Sequence, residues 1–373
     1  MSSPPAILQV LPALVSGGVE RGTVEIAEAI AAAGYRPIVA SAGGPLAAEV
    51  TRLGGVHVTL PLDTKSPRGI WGNAAALTAL VRAEDVKIIH ARSRAPAWSA
   101  LLASRRSGAR FVTTYHGAYN EGFPGKRLYN SVMARGERVI AISRFIADLV
   151  AERHGTPPSR IRLIPRGVDP RRFDPAAVPA ARVLALREAW GAAPGQQVVL
   201  LPARLTRWKG QMVLVEALAR LPGVIGVLAG GGGDAFAREL KDRAASLGLG
   251  QRLVLAGHVD ALDVALRAAD VVVHASTDAE AFGRTVIEAQ AMARPVIASD
   301  LGGPRETVAE GVTGWRVPPG DPAALAEALS RILAMPEAER DAAGARARAA
   351  VLRDYTTAAM QAATIGVYRE LLP

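Results

Sequence analysis

Cysteine is absent from the 373 residues, which excludes disulfides, thiolate nucleophiles and cysteine metal sites. No run approaches eighteen uninterrupted apolar residues, so no segment reads as a membrane-spanning helix. Aromatic residues make up only 5% of the chain, and neither an RNA-binding aromatic signature nor zinc-finger spacing occurs. The formal charge of +10 therefore carries no expectation of a nucleic-acid partner. Lysine is scarce as well. Only five of the 44 basic residues are lysine, and the arginine excess in an alanine-rich chain reads as readily as genome composition as it does as ligand binding. The start, Met1 to Pro5, has no basic segment ahead of its short apolar run and does not read as a signal peptide, which makes a cytoplasmic protein the expectation.

What is present suits a globular α/β enzyme: half the residues are hydrophobic and 21% are charged. The length exceeds what one core usually supports, so two domains are expected. Short apolar runs alternate with amphipathic segments, the pattern of doubly wound parallel sheets. The runs begin near Ala6, Pro37, His57, Lys87, Phe111, Val139 and Ile161, and resume near Val198, Val224, Leu253, Val271 and Pro295. Between the two sets, Pro165 to Pro179 breaks the rhythm. The expected division is a first Rossmann-like domain over 1–170, a second over 178–354, and a helical terminus over 355–373.

The most informative stretch runs from Ala275 to Gly303. It reads as the end of a buried strand, a polar loop, a helix starting near Gly283 and Arg284, and a second buried strand. The helix start, with Phe282, Gly283 and Arg284, would present backbone N–H groups and partial positive charge, a seat for a phosphate. Glu288 would reach back beside that seat and accept from two vicinal hydroxyls such as a ribose offers. Glu280 would face whatever hangs from the phosphate's far side. A plainer alternative stands beside this one, because Thr285 and Glu288 have the spacing of a capping box.

The wording of this stretch resembles the glutamate-x7-glutamate signature of retaining glycosyltransferases of the GT-B fold, family 4. The resemblance covers some twenty-five consecutive residues, including Phe282, Gly283, Glu288, Ala289, Pro295, Val296, Ile297 and Gly303. It implies an α/β fold of two Rossmann-like domains facing a central cleft, with a terminal helix that returns to the first domain. It also implies that Glu288 holds the ribose and Glu280 contacts the transferred sugar.

Other segments fit the same resemblance. Gly17 and Gly18 lie in a loop, Val15 to Glu20, that is similar to the family's paired-glycine loop over the donor. Read alone, the loop also suits a dinucleotide enzyme, although no acid ends the second strand to hold an adenosine ribose. As a bare pair of cations Arg204 and Lys209 read rather as a solvated loop; they match the family's phosphate-clamping segment, and the resemblance implies that they neutralise a departing diphosphate. His116, after the fifth strand and before Gly117, resembles the family's histidine near the transferred sugar. His258 matches a position near the base, and His90 and His274, which also end strands, rank below these. No Asp-x-Asp occurs, so the reaction is expected to need neither metal nor cofactor. Arg166 departs from the family's linker, which commonly carries asparagine there.

Basic residues gather around the fourth and fifth strands: Arg92, Arg94, Arg105, Arg106 and Arg110, then Lys126, Arg127, Arg135 and Arg138. Gly125 to Arg135 reads as an amphipathic surface helix with Leu128, Tyr129, Val132 and Met133 on its apolar side, and an ordinary solvated face is the alternative. The expected function is transfer of a hexose from a UDP- or GDP-sugar to a lipid-linked, glycolipid or lipopolysaccharide-type acceptor at the inner face of the cytoplasmic membrane, with peripheral contact to anionic lipid. An epimerase or phosphorylase on the same fold, and a non-catalytic nucleotide-sugar binding protein, remain as alternatives.

Overall fold

The structure, a computed structural model, describes residues 4–15, 17–122 and 124–372. Ser16 of the first glycine loop lies outside them. Two compact units emerge, one of residues 1–165 and 357–373 and the other of residues 166–356.

The first unit holds a seven-stranded sheet: β1 (Ala6–Val10), β2 (Arg36–Ser41), β3 (Val56–Thr59), β4 (Val86–Ala91), β5 (Arg110–Tyr115), β6 (Arg138–Ala141) and β7 (Ile161–Leu163), in the order β3-β2-β1-β4-β5-β6-β7. The second unit holds six: β8 (Val198–Pro202), β9 (Ile225–Ala229), β10 (Leu253–Gly257), β11 (Val271–His274), β12 (Val296–Ser299) and β13 (Trp315–Val317), in the order β10-β9-β8-β11-β12-β13. Every pairing is parallel. Parallel strands are covered on both faces by their crossover helices, which is why β1, β8, β9 and β11 are buried along their whole length and read as continuous apolar runs. The edge strands β3 and β10 are only partly covered.

The terminal helix Thr357–Arg369 packs on the first unit. Tyr368, fully buried, shares a 2.7 Å hydrogen bond with His90 Nδ1, and Gln361 Nε2 donates to Glu25 O at 2.7 Å. Just beyond the helix, Glu370 pairs with Arg138 and Arg162. Residues 166–170 go with the second unit: Val168 N donates to Tyr355 O and bridges Thr356 in parallel.

Three features differ from the sequence reading. β13 went unread because it is three residues long with a half-exposed Arg316 at its centre. The amphipathic helix over 125–135 does not form as a unit. Lys126–Asn130 is a short helix, Ser131–Ala134 tightens into a 3-10 turn, and Val132 and Met133 are fully buried, leaving Leu128 exposed. Thr113 Oγ1 donates to Met133 O at 2.6 Å, so the second half of this segment is spent on the core. Arg92, counted among the surface cations, is buried. No described helix is long and apolar enough to cross a membrane.

Candidate active site

The second sheet reverses its strand order between β8 and β11, and in open parallel sheets ligands settle outside the carboxyl ends at such a reversal. The loops leaving these two strands lie against each other. Gly210 holds φ +74°, and a Cβ there would overlap the Ala275 carbonyl, so only glycine permits the approach. Thr277 N donates to Trp208 O at 2.8 Å across the same seam.

This contact brings Lys209 to Glu280, whose Oε2 lies 2.7 Å from the ammonium. Trp208 stacks beneath the same ammonium at 4.3 Å. His274, the last residue of β11 and 6% exposed, places Nε2 2.5 Å from the same Glu280 oxygen, with Ser276 Oγ 3.3 Å from both. Burial alone pushes the Glu280 carboxyl up, but His274 and Lys209 outweigh it and hold the group well below the usual carboxylate range. Glu280 is therefore a charged carboxylate held from two sides. Its backbone is pinned as well: Gly303 N donates to Glu280 O at 2.8 Å, and a Cβ on Gly302 would crowd the same carbonyl.

Beyond Glu280 the chain turns through Gly283, at φ +79°, into the helix Arg284–Ala291, which has no side-chain cap. That disposes of the capping-box alternative, because the helix starts one residue before Thr285. Glu288 is 7% exposed and its Oε1 lies 3.5 Å from Arg284 Nε, one turn back toward the helix start. Phe282, 4% exposed, packs edge-on against Tyr355 at 5.9 Å. The arrangement couples a held carboxylate and an exchangeable ammonium to an uncapped helix start, a combination that can receive a diphosphate and orient a polyhydroxy group beside it.

The structure thus gathers Lys209, Glu280, Phe282, Gly283, Arg284 and Glu288 along one corner of the second unit. Arg204 lies on the same β8 loop, exposed, with no ion pair among the described residues. His258 stands apart after β10 in an exposed contact with Asp260 at 3.2 Å. In the first unit, His116 follows β5 half-buried, and Gly17 and Gly18 are exposed at the entry to the helix Gly18–Ala32. His274 is the residue the sequence reading undervalued; its signal was its place at the carboxyl end of a buried strand, six residues ahead of Glu280. Among the described residues no group of three or more His, Asp or Glu could hold a metal ion.

Residues 16–172 match Glycosyltransferase Family 4 and residues 184–350 match Glycosyl transferases group 1. The D-inositol 3-phosphate glycosyltransferase of Geodermatophilus obscurus is 35% identical over 58% of this chain and 50% of its own length, so the chain matches about half of that relative. The enzyme of the same name from Salinispora tropica is 30% identical over 94% of this chain and 77% of its own. A crystal structure of a glycosyltransferase from Rickettsia africae superposes with a TM-score of 0.90 at 34% identity, covering 99% of both chains. The chain belongs to family 4, group 1, of the GT-B glycosyltransferases.

Proposed function

We propose that the protein transfers a hexose from a UDP- or GDP-sugar to an acceptor hydroxyl with retention of anomeric configuration and without a metal ion. The observation that carries this reading is the Lys209–Glu280–His274 cluster beside the uncapped helix start at Gly283. Lys209, Arg204 and the main chain at Phe282, Gly283 and Arg284 stabilise the diphosphate charge that develops as the sugar leaves, with Gly17 and Gly18 closing over the donor. Glu288 fixes the ribose, and His258 lies toward the base. Glu280 and His116 orient the sugar. Because no protein nucleophile is assigned, attack comes from the leaving-group face, the departing phosphate accepting the acceptor's proton. The acceptor, held by the first unit, is a glycolipid or lipopolysaccharide-type molecule, and exposed Arg105, Arg106, Arg127 and Leu128 provide contact with an anionic membrane.

Incubation with UDP- and GDP-hexoses plus a panel of glycolipid acceptors, read by proton NMR of the product, tests the reaction. An axial donor linkage must reappear axial, and excess EDTA must leave the rate unchanged. An inverted product, or a rate abolished by EDTA and restored by a divalent cation, refutes the corresponding half. Flotation with anionic vesicles at low and high salt tests the membrane contact, and absence of binding in both buffers removes it.

A further inference from the structure

The first sheet also reverses its strand order, between β1 and β4, the position where such sheets bind ligands. Arg92 occupies it. The residue follows β4 directly, its backbone N–H donates to Val10 O at the end of β1 at 2.9 Å, and it is 2% exposed. Its Nε is enclosed without a hydrogen-bond partner, and among the described residues its side chain makes no hydrogen bond or ion pair. Half-buried arginines elsewhere in the chain spend their donors: Arg252 on the carbonyls of Leu218, Leu221 and Val224, Arg160 on those of Ala134 and Gly136.

Tyr368, Glu25 and Glu20 act on Arg92 electrostatically, but burial outweighs them and brings its guanidinium down to about 10. Enclosing a guanidinium while leaving its five N–H donors unused is unfavourable within the chain itself. A ligand that supplies acceptors and negative charge removes that penalty, and the planar fork suits the oxygens of a phosphate. Glu20 and Glu25, both on the helix Gly18–Ala32, are the acidic neighbours of this guanidinium.

We propose that this corner is an anion subsite on the first unit, in which Arg92 grips a phosphate group of the acceptor. Assigning the phosphate to the acceptor rests on the transferase reading; the subsite itself does not.

The test uses the full chain saturated with whichever of UDP or GDP it binds, titrated with inorganic phosphate and, separately, with phosphatidylglycerol vesicles. Phosphate should still bind with nucleotide present and should raise the unfolding midpoint. Arg92→Gln should weaken that binding about tenfold or more without lowering the midpoint of the unliganded protein, since no native hydrogen bond is lost. Arg92→Lys should fall between. Lys209→Gln should weaken nucleotide and spare phosphate. If only vesicles bind, and Arg92→Gln abolishes it, the phosphate is a lipid headgroup and the subsite stands. The subsite is overturned if neither probe binds the nucleotide-saturated wild type, if Arg92→Gln and Arg92→Lys both bind as wild type does, or if phosphate is lost on Lys209→Gln. Failure of UDP and GDP to bind at all would count against the donor reading alone, because the phosphate titration is read without nucleotide in that case.

Discussion

Exchanging Glu280 for glutamine should separate binding from turnover in opposite directions. The Glu280 carboxylate holds Lys209 at 2.7 Å, with side chains 15% and 21% exposed on the lysine and glutamate sides. In the proposed donor site, a diphosphate draws the ammonium away from that carboxylate before using it. The pair is neither fully exposed nor fully enclosed, so its net worth falls between the small value of a surface pair and the larger cost of breaking a buried one, about 1–2 kcal/mol. Glutamine keeps the shape and one acceptor oxygen but surrenders the charge. The affinity for UDP or GDP should therefore rise by about five- to thirtyfold, at 1.36 kcal/mol per factor of ten. Under the role proposed for Glu280 toward the sugar, turnover should fall by about a hundredfold or more, because glutamine lacks the charge that His274 holds in place. Calorimetry gives the first number and product formation under saturating donor the second. Nucleotide affinity that falls in Glu280→Gln, or turnover that survives it, would refute the exchange of Lys209 between carboxylate and diphosphate.

Gly210→Ala should destabilise the second unit by about 2–5 kcal/mol, since a Cβ overlaps the Ala275 carbonyl and the residue holds φ +74°; urea unfolding followed by tryptophan fluorescence measures it, and a change under 1 kcal/mol would mean the two loops separate freely. Hydrogen bonding from Arg162, assisted by Arg138, holds the Glu370 carboxyl down at about 2. A depressed carboxylate contributes stability that is complete above its unfolded value of about 4.5 and is lost as pH falls toward 2. The difference in unfolding midpoint between wild type and Glu370→Gln should accordingly be largest near neutrality and shrink below pH 4.5; a difference that grows on acidification contradicts the pairing.

Much of the architecture was legible because buried parallel strands announce themselves as β-branched apolar runs. Twelve of the thirteen strands in the described residues were read from such runs, and β13 was not, being short and interrupted by Arg316. The Glu280 to Glu288 spacing was equally visible, since a loop and one helix fix both residues locally. Side-chain partnership across the fold was not. His90 and His274 both end buried strands and look alike in sequence. In the fold His90 is consumed by Tyr368 and Thr114, each at 2.7 Å, whereas His274 faces Glu280. Arg92 and Arg94 lie two residues apart in the same basic run. Only packing separates the buried one from its neighbour, which lies over the ring of Tyr119 at 4.2 Å and donates to Asn130 at 2.9 Å.

The two sheets meet the same difficulty in different ways. A cation placed at a strand-order reversal to receive an anion must be tolerated while the anion is away, and burial makes that costly. In the second unit the cation is a lysine, and the cost is met by a local carboxylate at 2.7 Å. The ammonium sits on a flexible stem, while Glu280 is fixed by His274, Ser276 and the hydrogen bond to its carbonyl from Gly303. Arrival of a diphosphate should therefore move Lys209 and leave Glu280 in position for the sugar. In the first unit the cation is an arginine with a rigid fork that, among the described residues, makes no ion pair, although Glu25 and Glu20 act on it from farther off. It has nothing to be released from, so a ligand there gains the full set of donors at once. Neutralising Glu20 or Glu25 should consequently tighten anion binding at Arg92 only by removing a nearby like charge, whereas nucleotide binding at Lys209 should respond strongly to Glu280, which holds the cation itself.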